Sequence, residues 1–238
     1  MRNPFIILIG IISLSSCDLL NDVLNSVGTT TADPTEAEVA SGLKEALTSG
    51  ISKGSDALSK VDGYFGNPKI KIPFPPEAKK IEDKLRALGL NKMCDDVILS
   101  VNRASEDAAK EAKPIIVNAI KAMTVKDAMN ILFGGDTTAS HYLRVNTSTS
   151  LRAKFKPVIQ TSLEKVSATQ YWDDAVTYYN AIPFVEDLNP DLAEFVTGKA
   201  LNGLFYKIKE EEKYIRENPI ARVTALLKKV FDYYSQNK

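Results

Sequence analysis

Three residues on one turn of sequence have side chains that can do chemistry. Asn102 and Glu106 lie four apart and share a helix face, with Arg103 at its border. An amide, a guanidinium and a carboxylate so placed can line a polar pocket for an anion, a metal or a small ligand. Asp127, Asp136, Glu212 and Arg216 enlarge the group if the helices that carry them converge. Carboxylates at 106, 127 and 136 would suit a hard cation such as Ca²⁺. They would also suit hydrolysis by Glu106 with Asp127 or Asp136, with or without a metal. A structural arrangement fits the same residues. Asp127 stands three after Thr124, and Asp136 precedes a helix start, so both can cap helices. The rest can be ion pairs that fix helix register. Because caps and i,i+4 pairs explain most of the seven, no catalytic residue, metal or cofactor is assigned.

Other chemistries find little footing. His141, the one histidine, follows Ser140 but has neither a nucleophile elbow nor an acidic partner nearby in sequence. The chain contains no H-E-x-x-H, no C-x-x-C and no G-x-x-x-x-G-K. The Gly134-Gly135-Asp136 turn offers free N–H groups to an anion, which Asp136 would repel. Tyr171, Trp172, Tyr178 and Tyr179, with Tyr233 and Tyr234, form a glycan or partner surface or, as helical spacing favours, core packing and its rim. Lys+Arg and Asp+Glu both number 30 and are interleaved, which argues against a nucleic-acid partner.

The two cysteines, Cys17 and Cys94, make no disulfide framework. Cys94 reads as a small core residue. Cys17 closes a leader: Arg2, then the apolar run Phe5 to Ile12, then Leu14-Ser15-Ser16-Cys17. The run is far short of the ~20 residues that span a bilayer. The last four residues resemble a bacterial lipobox, in which the cysteine thiol takes a diacylglycerol and becomes the mature N-terminus. The expectation is a lipoprotein signal peptide over 1–17 with lipidation, including palmitate-type chains, at Cys17. Residues 18–34 read as a tether, which reaches on the order of 50 Å when extended at ~3.3 Å per residue. The expected location is the bacterial cell envelope, exported across the inner membrane, with the periplasm-facing outer membrane favoured. The membrane is thus the expected partner, through the anchor, together with an envelope protein or small ligand.

The elements that must position these residues are helices. Apolar periodicity predicts a helix over 35–61, in which Gly42, Gly50 and Gly54 admit a close neighbour. Prolines and glycines punctuate 62–76, and the alternation over 69–74 predicts an extended segment or short strand. It would bury Tyr64, Phe65, Ile70, Ile72 and Phe74. A helix over 77–89 precedes a central helix from Asn91 that is apolar on more than one side, and Pro114 must kink or break it. Thr124 opens a helix ending at Phe133, with Gly134 suited to a left-handed cap. Helices over 137–145 and from Thr147 or Ser148 to Val166, bent at Pro157, come next. Residues 168–181, a helix from Asn189-Pro190-Asp191, and one from Asn218-Pro219 with the stripe Ile220, Val223, Leu226, Leu227, Val230 and Phe231 complete the chain. The sum is an all-α, single compact domain of about eight helices over 35–238.

Several stretches together resemble one family of bacterial envelope lipoproteins, domain of unknown function 4197. They are Ala40-Ser41-Gly42-Leu43-Lys44-Glu45-Ala46-Leu47, Asp62-Gly63-Tyr64-Phe65, Lys71-Ile72-Pro73, and Asn102-Arg103-Ala104-Ser105-Glu106-Asp107-Ala108-Ala109. Asp127 to Leu132 with Gly134, Asp136 to Tyr142, Gly203-Leu204-Phe205, Glu212 to Arg216 and Asn218-Pro219 follow in the family's order. Ser105 and Ser140 depart from the pattern, which favours Ala and Thr there. The resemblance implies a helical lipoprotein and carries no activity with it.

Overall fold

Nine α-helices and one 3₁₀ turn make up the described residues of the computed structural model, which are 33–75, 78–165, 167–185, 191–218 and 224–236. The leader with Cys17 and nearly all of the tether lie outside them. So do Val166, Asn189, Pro190, Pro219, Ile220, Val223 and the side chain of Leu227. The helices are α1 (Glu36–Leu58), α2 (Lys79–Ala87), α3 (Asn91–Ala108), α4 (Ala112–Ala122), α5 (Val125–Leu132), α6 (Thr138–Lys165), α7 (Ala168–Asn180), α8 (Leu192–Glu217) and α9 (Ala225–Gln236). They pack as one all-α domain, with no strand among the described residues.

Local chemistry starts several of them. Thr35 and Glu38 form a capping box at α1, and Asp191 accepts from the Glu194 N–H at α8. The glycines of α1 work as expected. A Cβ on Gly42 would lie 2.8 Å from Val230 of α9, and one on Gly50 would lie 3.2 Å from Glu211 of α8. Two helices therefore sit close against α1. At the centre, α6 packs on α8, α3 and α4, while α1 packs on α8, α5, α4 and α9. One large apolar core runs from Leu43 through Val101, Phe155 and Trp172 to Ile208. A smaller one gathers Val39, Leu132, Ile215, Phe231 and Tyr234.

Four local expectations are corrected. The chain over 62–75 is turns and irregular backbone, so the short strand does not form. Tyr64, Ile70, Ile72 and Phe74 are buried there, and Phe65 only partly. The central helix breaks at a 3₁₀ turn, Ala109–Glu111, ahead of Pro114. Pro114 then falls in the first turn of α4, where a missing N–H breaks no intrahelical bond. Residues 138–165 form a single helix. Thr147 and Ser148 do not cap a new one; their hydroxyls donate back to the carbonyls of Leu143 and Arg144, four residues earlier. Gly134 is not left-handed; among the described glycines only Gly89 has a positive φ, 82°. A side chain at 134 is barred instead by Thr138, whose Oγ1 would lie 2.4 Å from a Cβ there.

Candidate functional site

The polar flank of α3 is tied to the irregular segment beside it. Asn102, wholly buried, receives the Ile72 N–H at 2.9 Å and donates to the Ile72 carbonyl at 2.8 Å. One side chain thus supplies both halves of a strand's pairing, which is why an extended stretch needs no second strand here. Glu106 is 4 % exposed, and its Oε1 accepts the N–H groups of Tyr64 at 3.1 Å and Phe65 at 3.2 Å. Its Oε2 takes Arg103 at 2.7 Å, and Arg103 reaches on to Asp62 at 2.8 Å. The Glu106 bond holds the Arg103 pKa above its ordinary value. Asp62 itself sits at φ 67°, in a turn that points the N–H groups of Tyr64 and Phe65, two and three residues on, at Glu106. Beyond them the Tyr64 hydroxyl donates to the Ala200 carbonyl at 2.8 Å. Its ring fills the place where a Cβ on Gly203 would lie 2.6 Å away. Burial first, and the Glu106 charge second, push the Tyr64 phenol well above its usual range.

A second network closes the corner between α5 and α6. Glu212 on α8, 4 % exposed, accepts the N–H groups of Ala139 at 3.0 Å and Ser140 at 2.9 Å. Those are free donors of the first turn of α6, where the helix dipole also favours an anion. Arg216 binds Glu212 at 3.0 Å and donates to the last carbonyls of α5, Leu132 at 3.1 Å and Ile131 at 2.7 Å. One ion pair on α8 therefore caps the end of one helix and the start of the next.

Asp127 stays at its own helix. It accepts from the Thr124 hydroxyl at 2.7 Å and the Thr124 N–H at 2.9 Å, and Tyr142 donates to it at 3.3 Å. The Thr124 bonds hold its carboxyl below the usual aspartate range. Asp136 is exposed and accepts no hydrogen bond among the described residues, so the cap expected from it comes from Glu212 instead. The seven residues thus divide. Asn102, Arg103 and Glu106 hold the 62–74 segment, Glu212 and Arg216 hold the α5–α6 corner, and Asp127 and Asp136 stand apart. Gly203, at the first network, and Glu212 are nine residues apart on α8, about 14 Å along its axis. Among the described residues no three His, Cys, Asp or Glu side chains are grouped to hold a metal.

The remaining candidates are also placed. Cys94 is buried in the main core, and burial pushes its thiol pKa up. Trp172 and Tyr179 belong to the same core, with Trp172 5.5 Å from Phe74, while Tyr234 joins the smaller core and Tyr171 and Tyr178 stand at the surface. They make no single aromatic surface. Two adjoining recesses lie elsewhere, between α6 and α8. One recess of about 380 Å³ there includes His141, Arg144, Asn202, Tyr206 and Lys209, and a second of about 430 Å³ shares Asn202 and continues to Arg152, Phe195 and Lys199. Sequence reasoning weighed His141 only as the partner of a nucleophilic serine and passed over the other polar residues here. Their signal is a stripe on α8 at 195, 199, 202, 206 and 209, spaced four and three, opposite 141, 144 and 152 on α6.

No helix among the described residues is long and apolar enough to cross a membrane. A search of curated proteins and of solved structures found no match to the chain. The family model for "Protein of unknown function (DUF4197)" matches residues 33–232, which span α1 to α8 and the larger part of α9, and the chain belongs to that family.

Proposed function

We propose that the chain is a lipid-anchored envelope module with no catalysis of its own, whose helical body serves binding or scaffolding. The anchor is Cys17, and residues 18–34 hold the body off the membrane. The observation that carries the non-catalytic half is how the buried carboxylates are used. Both oxygens of Glu106 and both of Glu212 are taken by backbone N–H groups and arginines of the chain itself. A hydrolytic carboxylate must have an oxygen free for water or substrate. Asp127 is likewise occupied, and Asp136 belongs to no group of three metal-ligating side chains among the described residues. The leader's charge, run length and cysteine position support the anchored half.

The test is Glu106→Gln, compared with the wild type for unfolding by urea and for hydrolysis of phosphoester, ester, amide and glycoside model substrates. The expected result is a lower unfolding midpoint and no turnover in either protein. Turnover by the wild type that the variant loses, with folding intact, would sink the reading.

A further inference from the structure

We propose that the groove between α6 and α8 is a binding site for a phosphate group, centred on Arg144. This deepens the binding reading above and rests on its binding half alone. Arg144 has no carboxylate partner among the described residues. Its Nη1 donates to Asn202 Oδ1 at 2.9 Å, and its guanidinium lies 4.5 Å from the centre of the Phe205 ring. Partial burial without a counter-charge pulls its pKa below the ordinary arginine value. An arginine held by stacking and by one neutral acceptor keeps its outer N–H groups aimed and unspent, in a fork that matches phosphate oxygens.

Two further lysines face the same groove without carboxylate partners. Lys209 lines the Arg144 recess. Lys199 lies over Phe195 in the adjoining one, 5.6 Å from the ring centre. Several other cations on the same two helices are paired, as Lys156 is with Asp191 and Glu194, and Lys207 with Glu210. The acids at the far end of the groove are neutralised in the same way, because Arg152 also bonds Glu194. Asn202 uses its carbonyl on Arg144, which leaves its amide N–H₂ as a donor into the groove. Arg144 and Lys209 together offer two positive charges to one recess. A phosphate monoester, with charge near −2, matches them; a carboxylate would leave one unbalanced. Phe195, Phe205 and Tyr206 give an apolar floor for the rest of the ligand. The phosphomonoester can sit on a soluble molecule or on a lipid headgroup that ends in one, as phosphatidic acid does.

The experiment uses the full chain carrying Cys17→Ala, so that an anchor cannot deliver it to lipid. Glycerol 3-phosphate and acetate are titrated separately at constant ionic strength, and the Arg144 Nε–H and Asn202 amide signals are followed by NMR. Vesicles of phosphatidic acid and phosphatidylcholine, and of phosphatidylcholine alone, form the second arm, read by sedimentation. The expected result is saturable shifts with glycerol 3-phosphate and weaker ones with acetate. Arg144→Gln should weaken binding roughly tenfold, as loss of a charged hydrogen-bond donor does. Lys126→Gln, an equal charge change on the exposed face of α5, should leave it unchanged. Sedimentation with phosphatidic acid that Arg144→Gln abolishes assigns the phosphate to a lipid headgroup; its absence, with glycerol 3-phosphate bound, assigns it to a soluble ester. Circular dichroism melting checks that Arg144→Gln folds, and Lys209→Gln reads the same loss if it does not. Equal binding by the variants and the wild type, acetate as tight as the phosphate, or no saturable binding in either arm would overturn the proposal. Vesicle binding that survives Arg144→Gln belongs to the apolar N-terminus and also counts against it.

Discussion

A carboxylate buried as deeply as Glu106 is costly unless every lone pair has a partner. Glu106 meets that condition with two backbone N–H groups and Arg103, so it works as a tie between α3 and the segment beside it. Glu106→Leu strands those donors and should lower stability by about 3 kcal/mol or more, while Glu106→Gln keeps an acceptor and should cost less. Urea unfolding with an unchanged slope measures both. Gly203→Ala drives a methyl into the Tyr64 ring and should cost about 1–3 kcal/mol, by the same measurement. Ser55 is the converse case. Its buried hydroxyl has no partner among the described residues, so Ser55→Ala should be neutral or raise stability by up to about 1 kcal/mol. Asp127 gives a pH dependence whose sign is fixed. Its folded pKa is lowered by Thr124, so its contribution is present above the unfolded value of about 3.9 and is lost as pH falls through the lower folded value. The stability gap between wild type and Asp127→Asn should therefore hold at neutral pH and close below about pH 4. The Thr124–Asp127 box was legible because its two halves are three residues apart. The backbone partners of Glu106 were not, because they lie 41 and 42 residues away and depend on a turn at Asp62.

At the scale of elements, the α5–α6 corner shows how a helix on the far side of the sequence can do a cap's work. Asp136 is an adequate cap residue by type, yet Glu212, 72 and 73 residues from the amides it receives, holds the first turn of α6. Glu212→Leu takes its carboxylate from the buried Arg216 and frees those amides. Hydrogen exchange at Ala139 and Ser140 should then speed up about a hundredfold, with the distal half of α6 far less affected. Uniform acceleration along α6 would mean that the pair holds the whole fold rather than the corner. Helical periodicity made most elements readable, including α1 with its close-approach glycines and the stripe of α8. It misled at 147–148, where Thr and Ser suit a cap and a helix interior alike, and only the long α6·α8 packing decides. It misled again at 69–74, where alternation fits a strand but the pairing partner is a side chain, Asn102. The groove was readable only in part. Its stripe shows in the spacing, whereas the want of carboxylates around Arg144, Lys199 and Lys209 depends on what the fold brings near them.

For the whole molecule, membership of a family of unknown function leaves its role to be read from physics. The body is a helical domain whose buried charges are spent on itself and whose open groove is lined by unspent ones. Such a body suits recognition at a surface. In the proposed reading the leader would attach it to a membrane through Cys17 and two or three acyl chains, each buried CH₂ being worth ~0.8 kcal/mol. That attachment is the central claim, because it decides what the groove can meet. The direct measurement is membrane sedimentation, with metabolic palmitate labelling, of the wild-type chain and Cys17→Ala in a bacterial host that acylates exported lipoproteins. The account predicts that the wild type carries label and sediments with membranes, while Cys17→Ala carries none and stays in the supernatant. An unlabelled wild type, or a Cys17→Ala chain that still sediments, would contradict it.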